Sequence, residues 1–371
     1  MNTELNFLTS LFRGNAQSGR GFGVTLRLLK RAGRPFLLLP REPRAAVGTL
    51  ALYAPQSAHA KAARAVLLWA IGLRLPWLGE TICFEMLPEA PFVRFLSSLH
   101  GAATAPPRFG ILAGNPASPG QRFLLLCCNA EGEPVAVVKA ALTQRGHELI
   151  QHEQSLLSAI AGKFKGVPAI IGTFRCAEIL AFAISFFAGN SPRKFDQEQL
   201  RSLLNSWVDT QRTVPLSEMP DWLKLEQVCA AHPGFQGLAQ RVRSQRVHPC
   251  LEHGDFTPWN IKISEGVCTV LDWERGELTG MPGWDWFHYA LQTAILVKRQ
   301  PTLALANQAE ALLAADSFNT YATRCGFAGF ARELLLSYLF NVVEIIKPSE
   351  GGIQTRELLT ELAQRWQIGS A

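Results

Sequence analysis

The stretch Leu251–Phe287, LEHGDFTPWNIKISEGVCTVLDWERGELTGMPGWDWF, decides how the whole chain is read. Asp255 and Asn260 stand five apart in the pattern H-G-D-x-x-x-x-N, and Asp272 follows twelve residues after Asn260, closing the apolar run VCTVL. This is an island of strand and loop inside a helical region. Around it, helices are expected at 196–210 (with Asp196 as N-cap), 221–245, 285–299, 302–315, 329–347 and 354–367. Upstream the pattern changes to β-like runs at Phe109–Ala113, Arg122–Cys128 and Pro134–Lys139, joined by GNPASPG (114–120) and NAEGE (129–133), as in an antiparallel meander. A helix at 147–161 puts Leu149, Ile150, Leu156, Leu157 and Ile160 on roughly one face, and strands follow at Ala169–Phe174 and Glu178–Phe187. GNSP (189–192) breaks the chain before the helical part, and APP (105–107) makes a seam before the strands.

Composition excludes several classes. At 371 residues the chain exceeds the roughly 250–300 at which single cores stop growing, so two or three lobes are expected. A hydrophobic content of 48% against 18% charged residues fits a folded globule and excludes disorder. The 30 glycines and 22 prolines follow no period, which excludes collagen-like and repeat architectures. The net charge of +6 is localised: residues 1–100 carry 12 Lys/Arg against 5 acids, whereas residues 101–371 are almost neutral. A nucleic-acid protein would carry its basic stripe on the main folded domain, so no nucleic-acid partner is expected. Eight cysteines with no C-x-x-C pair read as reduced core thiols of a cytoplasmic protein. Glu4 opposes a signal peptide, and the longest apolar run, Ala65–Leu73, is too short to span a membrane.

The Asp-to-Asn spacing is that of the protein-kinase catalytic loop H-R-D-x-x-x-x-N, with Gly254 in place of the Arg and a further Asp after the next strand. Phosphoryl transfer needs these residue types. The migrating group spreads negative charge over its oxygens, and amide and carboxylate oxygens suit the hard Mg²⁺ ion that neutralises it. A second carboxylate orients the attacking hydroxyl; with a reference pKa of about 3.9 it works by position more than by basicity. Asp255 takes that role in this reading, and Asn260 and Asp272 hold the metal. Lys139 ends the strand-like PVAVVK, where a kinase keeps its phosphate-binding lysine, and Glu153 lies fourteen residues on in the next helix, able to hold it by an ion pair. The loop Gly114–Gly120 could cover the nucleotide phosphates with backbone amides.

The motifs HGDFTPWNI and VLDWE resemble the aminoglycoside phosphotransferase / choline kinase superfamily, the small-molecule relatives of protein kinases. In that family H-G-D replaces H-R-D, D-W-E or D-F-E replaces D-F-G, and the Asp of a G-x-P-x-x-D segment supports the catalytic loop; GMPGWD with Asp285 is similar. The resemblance covers about residues 106–300 and implies an α+β, bilobal protein-kinase-like fold. It gives a β-rich small lobe over 106–188, a mostly helical large lobe over 189–371 and an N-terminal basic accessory region over 1–105. It also implies that Asp255 is the catalytic carboxylate and that Asn260 and Asp272 bind magnesium. Lys139 and Glu153 would form the nucleotide-site ion pair, and Ser185–Ala188, including Phe187, the hinge whose backbone meets adenine. The expected activity is ATP-dependent transfer of the γ-phosphate to a hydroxyl of a sugar, amino sugar or amino alcohol. The alternatives are a non-catalytic kinase homologue acting as nucleotide-binding regulator or scaffold, and a transfer of AMP in place of phosphate.

Plainer readings stand beside these. His253 orders its loop more readily than it acts as a base. His248, Cys250, His253 and Cys268 match no standard zinc spacing. Trp259, Trp273, Trp284 and Trp286 could form a cage for a choline-like cation, but core packing is the commoner fate of such residues. The near-neutral helical lobe argues weakly against a polycationic acceptor. Residues 57–75, with Lys61, Arg64 and Arg74, could lie on an anionic membrane surface, while the plain alternative is a region packed on the small lobe with its arginines solvated.

Overall fold

Alternating burial along short β-branched and leucine-rich runs builds the first half of the molecule. The computed structural model describes residues 8–9, 12–13, 21–75, 79–99, 107–114, 120, 122–176, 179–193, 196–346 and 352–368. The chain divides into two units: Met1–Ser158 with Pro168–Phe187, and Ala159–Val167 with Ala188–Ala371.

The first unit is organised around one antiparallel sheet of eight strands. These are β1 (Phe22–Arg31), β2 (Arg34–Pro40), β3 (Glu80–Met86), β4 (Arg108–Ala113), β5 (Arg122–Cys128), β6 (Pro134–Ala141), β7 (Ile170–Arg175) and β8 (Leu180–Ser185), in spatial order β3-β1-β2-β4-β5-β6-β8-β7. The meander expected from the turn residues is β4-β5-β6, with Leu124 opposite Lys139 and Lys139 opposite Phe182. Along β6, Ala136, Val138 and Ala140 are buried on one face, which directs Lys139 to the other. Phe109, Ile111, Leu125 and Val138 share a core with Phe12, Phe84 and Phe92. Between β2 and β4 run α1 (Pro43–Ala51), α2 (Ala58–Gly72) and α3 (Pro91–Ser98); α4 (Gln144–Ile160) follows β6.

The expectation of a separate accessory region over 1–105 is corrected here. Residues 22–40 and 80–86 supply three strands of the same sheet, and β2 joins β4 through Leu37↔Leu112 and Leu38↔Ile111. Three consecutive leucines, Leu37–Leu39, are fully buried, so β2 is covered on both faces and must lie inside a sheet. Helix α1 then packs closely: a Cβ at Gly110 of β4 would stand 2.0 Å from Thr49 Oγ1, so no larger residue fits there without movement. The seam expected at 105–107 falls mostly on residues outside those described.

The second unit is helical apart from short strand pairs. Its helices are α5 (Gln197–Ser206), α6 (Pro220–Val228), α7 (Pro233–Val242), α8 (Trp284–Gln292), α9 (Thr302–Ala314), α10 (Asp316–Cys325), α11 (Ala331–Phe340) and α12 (Gly352–Trp366). The strand pairs are β9 (Val214–Pro215) with β10 (Arg246–Val247), β11 (Cys250–Glu252) with β14 (Glu277–Gly280), and β12 (Ile261–Ser264) with β13 (Val267–Val270). The single helix expected over 221–245 is two helices. Pro233 cannot donate within a helix and pushes His232 to an extended conformation, from which His232 caps α7 by accepting the Phe235 N–H. Thus the α+β class read from the sequence stands: a sheet-based unit followed by a helical one. All eight cysteines are free thiols, six of them buried.

Candidate active site

In the first unit, two expected partners meet. Along α4, Ile150, Glu153, Leu157 and Ile160 recur at spacings of three and four and are all buried, so Glu153 lies in the stripe that packs inward. Its carboxylate reaches Lys139 Nζ at 2.6 Å, with side-chain exposures of 3% and 13%. Such burial and length distinguish this ion pair from the exposed ones on the surface. Gly114 and Gly120 bracket the expected phosphate-covering loop, whose residues 115–119 lie outside those described. A Cβ at Gly114 would stand 2.1 Å from the Arg122 carbonyl oxygen, so a close backbone approach already requires glycine there. Ser185 ends β8 opposite Ala136, and the Phe186 amide donates to the Val135 carbonyl at 3.0 Å, immediately before Phe187 closes the unit.

In the second unit, the island becomes a pinned loop. Strand β11 delivers His253, which is fully buried. Its Nδ1 accepts the Asp255 amide at 3.2 Å, and its Nε2 donates to the Leu271 carbonyl at 2.9 Å. The imidazole therefore ties the loop to the far end of the island and has no nitrogen left for a reaction. Gly254 has φ +75°, and a Cβ there would meet the Arg275 carbonyl oxygen at 2.5 Å. Any side chain is excluded, which accounts for Gly where protein kinases have Arg. Asp285, at the start of α8, accepts the His253 and Gly254 amides at 2.7 and 3.0 Å. Burial pushes the Asp285 carboxyl up, with His253 and these two amides opposing the shift.

Asp255 is held at both oxygens. Asn260 Nδ2 donates to Oδ2 at 2.9 Å and to the Asp255 carbonyl at 3.0 Å, and His288 Nε2 lies 3.0 Å from Oδ1. The hydroxyl of Tyr338 lies 3.0 Å from His288 Nδ1. With the Tyr338 hydroxyl donating, Nε2 carries the hydrogen that Asp255 accepts. The carboxylate keeps 21% side-chain exposure, whereas His288 keeps 3%. Because Asn260 directs its amide hydrogens to Asp255, its carbonyl oxygen is the end that can meet a cation. The Leu271 amide donates to the main-chain carbonyl of Asn260 at 2.7 Å, which brings Asp272 next to Asn260. Asp272 has φ +70°, a left-handed conformation costing a non-glycine residue about 1 kcal/mol or more, and such strain gathers at functional positions. An amide oxygen and a carboxylate are hard donors that fit magnesium, an ion that keeps several of its waters.

His248, Cys250, His253 and Cys268 belong to no metal-holding group of three or more His, Cys, Asp or Glu among the described residues. His248 Nδ1 engages the Arg212 carbonyl, and the Cys250 thiol points at the Met281 carbonyl. Trp273, Trp284 and Trp286 are buried in the core, with Trp273 packed on Trp207 and His253. Sequence reasoning missed His288 and Tyr338. His288 could have been suspected from its position three residues after Asp285, on the same face of α8. No local signal marks Tyr338.

A second buried carboxylate sits behind the loop. Burial, and then the Asp221 and Asp285 carboxylates, push the Glu252 carboxyl well above its ordinary 4.5, although the Met281 amide donates to it at 2.6 Å. A carboxyl raised on folding adds stability that is fully present below about 4.5 and is lost as pH rises through the folded value. Glu252→Gln keeps an oxygen for the Met281 amide and carries no charge. Its melting temperature should match the wild type at the acid end and exceed it progressively as pH rises through the folded value. Parallel profiles for the two proteins would refute this assignment.

No family model matches the chain, and no curated protein matches it. Solved structures do resemble it. A thermostable mutant of aminoglycoside phosphotransferase APH(4)-Ia, in ternary complex with AMP-PNP and hygromycin B, shares 10% identity over 76% of this chain and 99% of its own, with a TM-score of 0.47. A provisionally named fructosamine-3-kinase from Haemophilus somnus shares 13% over 73% and 96%, with a TM-score of 0.44. The ADP-bound aminoglycoside phosphotransferase APH(2'')-Ib shares 12% over 70% and 86%, with a TM-score of 0.34.

Proposed function

We propose that this protein is a small-molecule kinase of the aminoglycoside phosphotransferase / choline kinase type. It transfers the γ-phosphate of ATP to a hydroxyl of a sugar, amino sugar or amino alcohol. The observation that carries the reading is the Asp255 carboxylate, fixed at both oxygens by Asn260 and His288 in a loop pinned by Asp285, with Asp272 tethered beside Asn260. The Lys139–Glu153 ion pair supports it, since a lysine held in one place by a buried carboxylate can meet nucleotide phosphates without losing further side-chain freedom.

Asp255 accepts a hydrogen bond from the acceptor hydroxyl and aligns its oxygen with the γ-phosphorus. The new P–O bond forms as the bond to the β-phosphate oxygen breaks; ADP leaves, and the hydroxyl proton passes to Asp255. Asn260 and Asp272 would hold magnesium, which would supply neutralisation of the phosphate charge. Lys139 would neutralise phosphate oxygens of the nucleotide.

Nucleotide binding can be tested without knowing the acceptor. Mg-ATP at about 100 times its dissociation constant stabilises a protein by about 2.7 kcal/mol, which corresponds to a rise of several degrees in melting temperature. The wild type should show this shift only with magnesium present, and Asp272→Ala should lose it. A folded wild type that shifts with neither Mg-ATP nor Mg-GTP would remove the kinase reading and leave the scaffold.

A further inference from the structure

Helix α2 is sparsely covered. Of its fifteen residues only Ala70 and Ile71 are buried, packed on Leu37, Leu39, Ala46 and Leu50. At 100° per residue, Ala62, Ala65, Val66 and Trp69, together with Leu73 at the C-cap, fall within one arc of about 100° centred away from Ile71. These residues face outward: Val66 is 58% exposed, Trp69 63% and Leu73 53%. Isolated exposed apolar residues are ordinary, but a contiguous stripe with a tryptophan at its centre marks an interaction surface.

The charge around this stripe has one sign. Lys61 flanks it, exposed. At its end Leu73 is followed by Arg74, which lines a cavity of about 380 Å³ together with Arg27, Arg41 and Ile71. Among the described residues, no acidic side chain lines this cavity. Arg27 donates to the Leu75 carbonyl at 2.7 Å, which holds its guanidinium in place. Arg41, Arg74 and Lys61 form no ion pair among the described residues, in contrast to Lys30, which Glu80 neutralises. Four basic residues, Arg27, Arg41, Lys61 and Arg74, therefore lie on or next to the helix that carries the apolar stripe.

We propose that α2 and the three-arginine cavity form a docking surface for a bilayer rich in anionic phospholipid. Val66, Trp69 and Leu73 enter the interfacial zone, where an amphipathic indole is favoured. Lys61, Arg41 and Arg74 meet the phosphate layer, and the cavity receives one lipid phosphate. The contact is peripheral, since no helix among the described residues is long and apolar enough to cross a membrane. A second copy of the chain is a poor occupant, because an isologous contact would set these unpaired cations against themselves. A soluble polyanion would satisfy the arginines but gives no reason for the apolar stripe. This inference is independent of the kinase reading.

The test is co-sedimentation of the full chain with vesicles of phosphatidylcholine alone or mixed with phosphatidylglycerol. The wild type should sediment only with the mixed vesicles, less so as salt rises. Removing two cations, as Arg41→Ser with Arg74→Ser, should weaken partitioning about thirtyfold. Trp69→Ser with Val66→Ser should weaken it about tenfold or more. All four positions are exposed, so both variants should melt like the wild type, and the Lys61→Ser variant provides a second reading of the charge effect. Equal sedimentation with both vesicle types would overturn the proposal, as would apolar-stripe variants that bind normally. Displacement from mixed vesicles by millimolar inorganic phosphate, or equal affinity for a short oligonucleotide, would overturn it in favour of a soluble anion.

Discussion

Asp255→Asn should lower turnover by about 10²- to 10⁴-fold, the range that a positioned proton acceptor contributes. The fold and the magnesium-dependent stabilisation by ATP should survive. The reason lies in the two donors that converge on this carboxylate. Asn260 and His288 each give it one hydrogen bond, and both arrive at oxygens. The substituted amide offers one oxygen where the carboxylate offered two, so one donor loses its acceptor. That costs about 1 kcal/mol at a site that remains partly solvated, too little to unfold the unit. The reaction, however, loses its proton acceptor and the negative charge that orients the hydroxyl. The measurement is acceptor-dependent ADP release across a panel of sugars, amino sugars and amino alcohols, with the variant compared on the first acceptor that the wild type uses. A variant that retained wild-type turnover while still binding Mg-ATP would sink the role given to Asp255.

Asp285→Ala should have the largest effect on stability. Asp285 is 5% exposed and accepts two main-chain amides, those of His253 and Gly254. Alanine leaves both amides buried without an acceptor, at about 1–3 kcal/mol each. Part of this is offset, because the substitution removes a carboxyl that burial already disfavours and that pushes up neighbouring Glu252. A net loss of about 2–4 kcal/mol is expected, seen as a lower urea midpoint with an unchanged slope. Turnover should fall as well, although Asp285 touches no reactant, because the loop that carries Asp255 loses its anchor. Asp285→Asn, which keeps one acceptor, should lie between alanine and wild type in both measurements. An alanine variant as stable as the wild type would show that the amides find other partners and that Asp285 does not hold the loop.

Much of this was legible in the chain itself. Asp255, Asn260 and Asp272 lie within eighteen residues, and a tight loop followed by a hairpin leaves few ways to arrange them. Local spacing therefore carries nearly all of their geometry. The Lys139–Glu153 pair was legible for a similar reason: a strand, a short turn and a helix of regular pitch bring residues fourteen apart into reach. The break at His232–Pro233 was missed although proline forbids an unbroken helix, because amphipathic periodicity running on both sides concealed it.

Other features have no local signature. His288 reaches Asp255 from 33 residues along the chain and Tyr338 reaches His288 from 50 further on, through two helices whose packing decides which side chains meet. That β1, β2 and β3 extend the same sheet as β4–β8 follows from edge pairing between β2 and β4, which are separated by α1, α2, β3 and α3. Strand pairing depends on which edge is open and which face is apolar once the rest has collapsed, and a sequence window contains neither. The outward stripe of α2 has the same origin, since its apolar residues look like core until the sheet takes only the opposite side. The sequence by itself determined the chemical groups, the local spacing that arranges them and the α+β class, because these depend on contacts between near neighbours. Tertiary structure alone decided the membership of the sheet, the grip of His288 on Asp255 and the exposure of Trp69, because each depends on surfaces that meet only after the chain has folded.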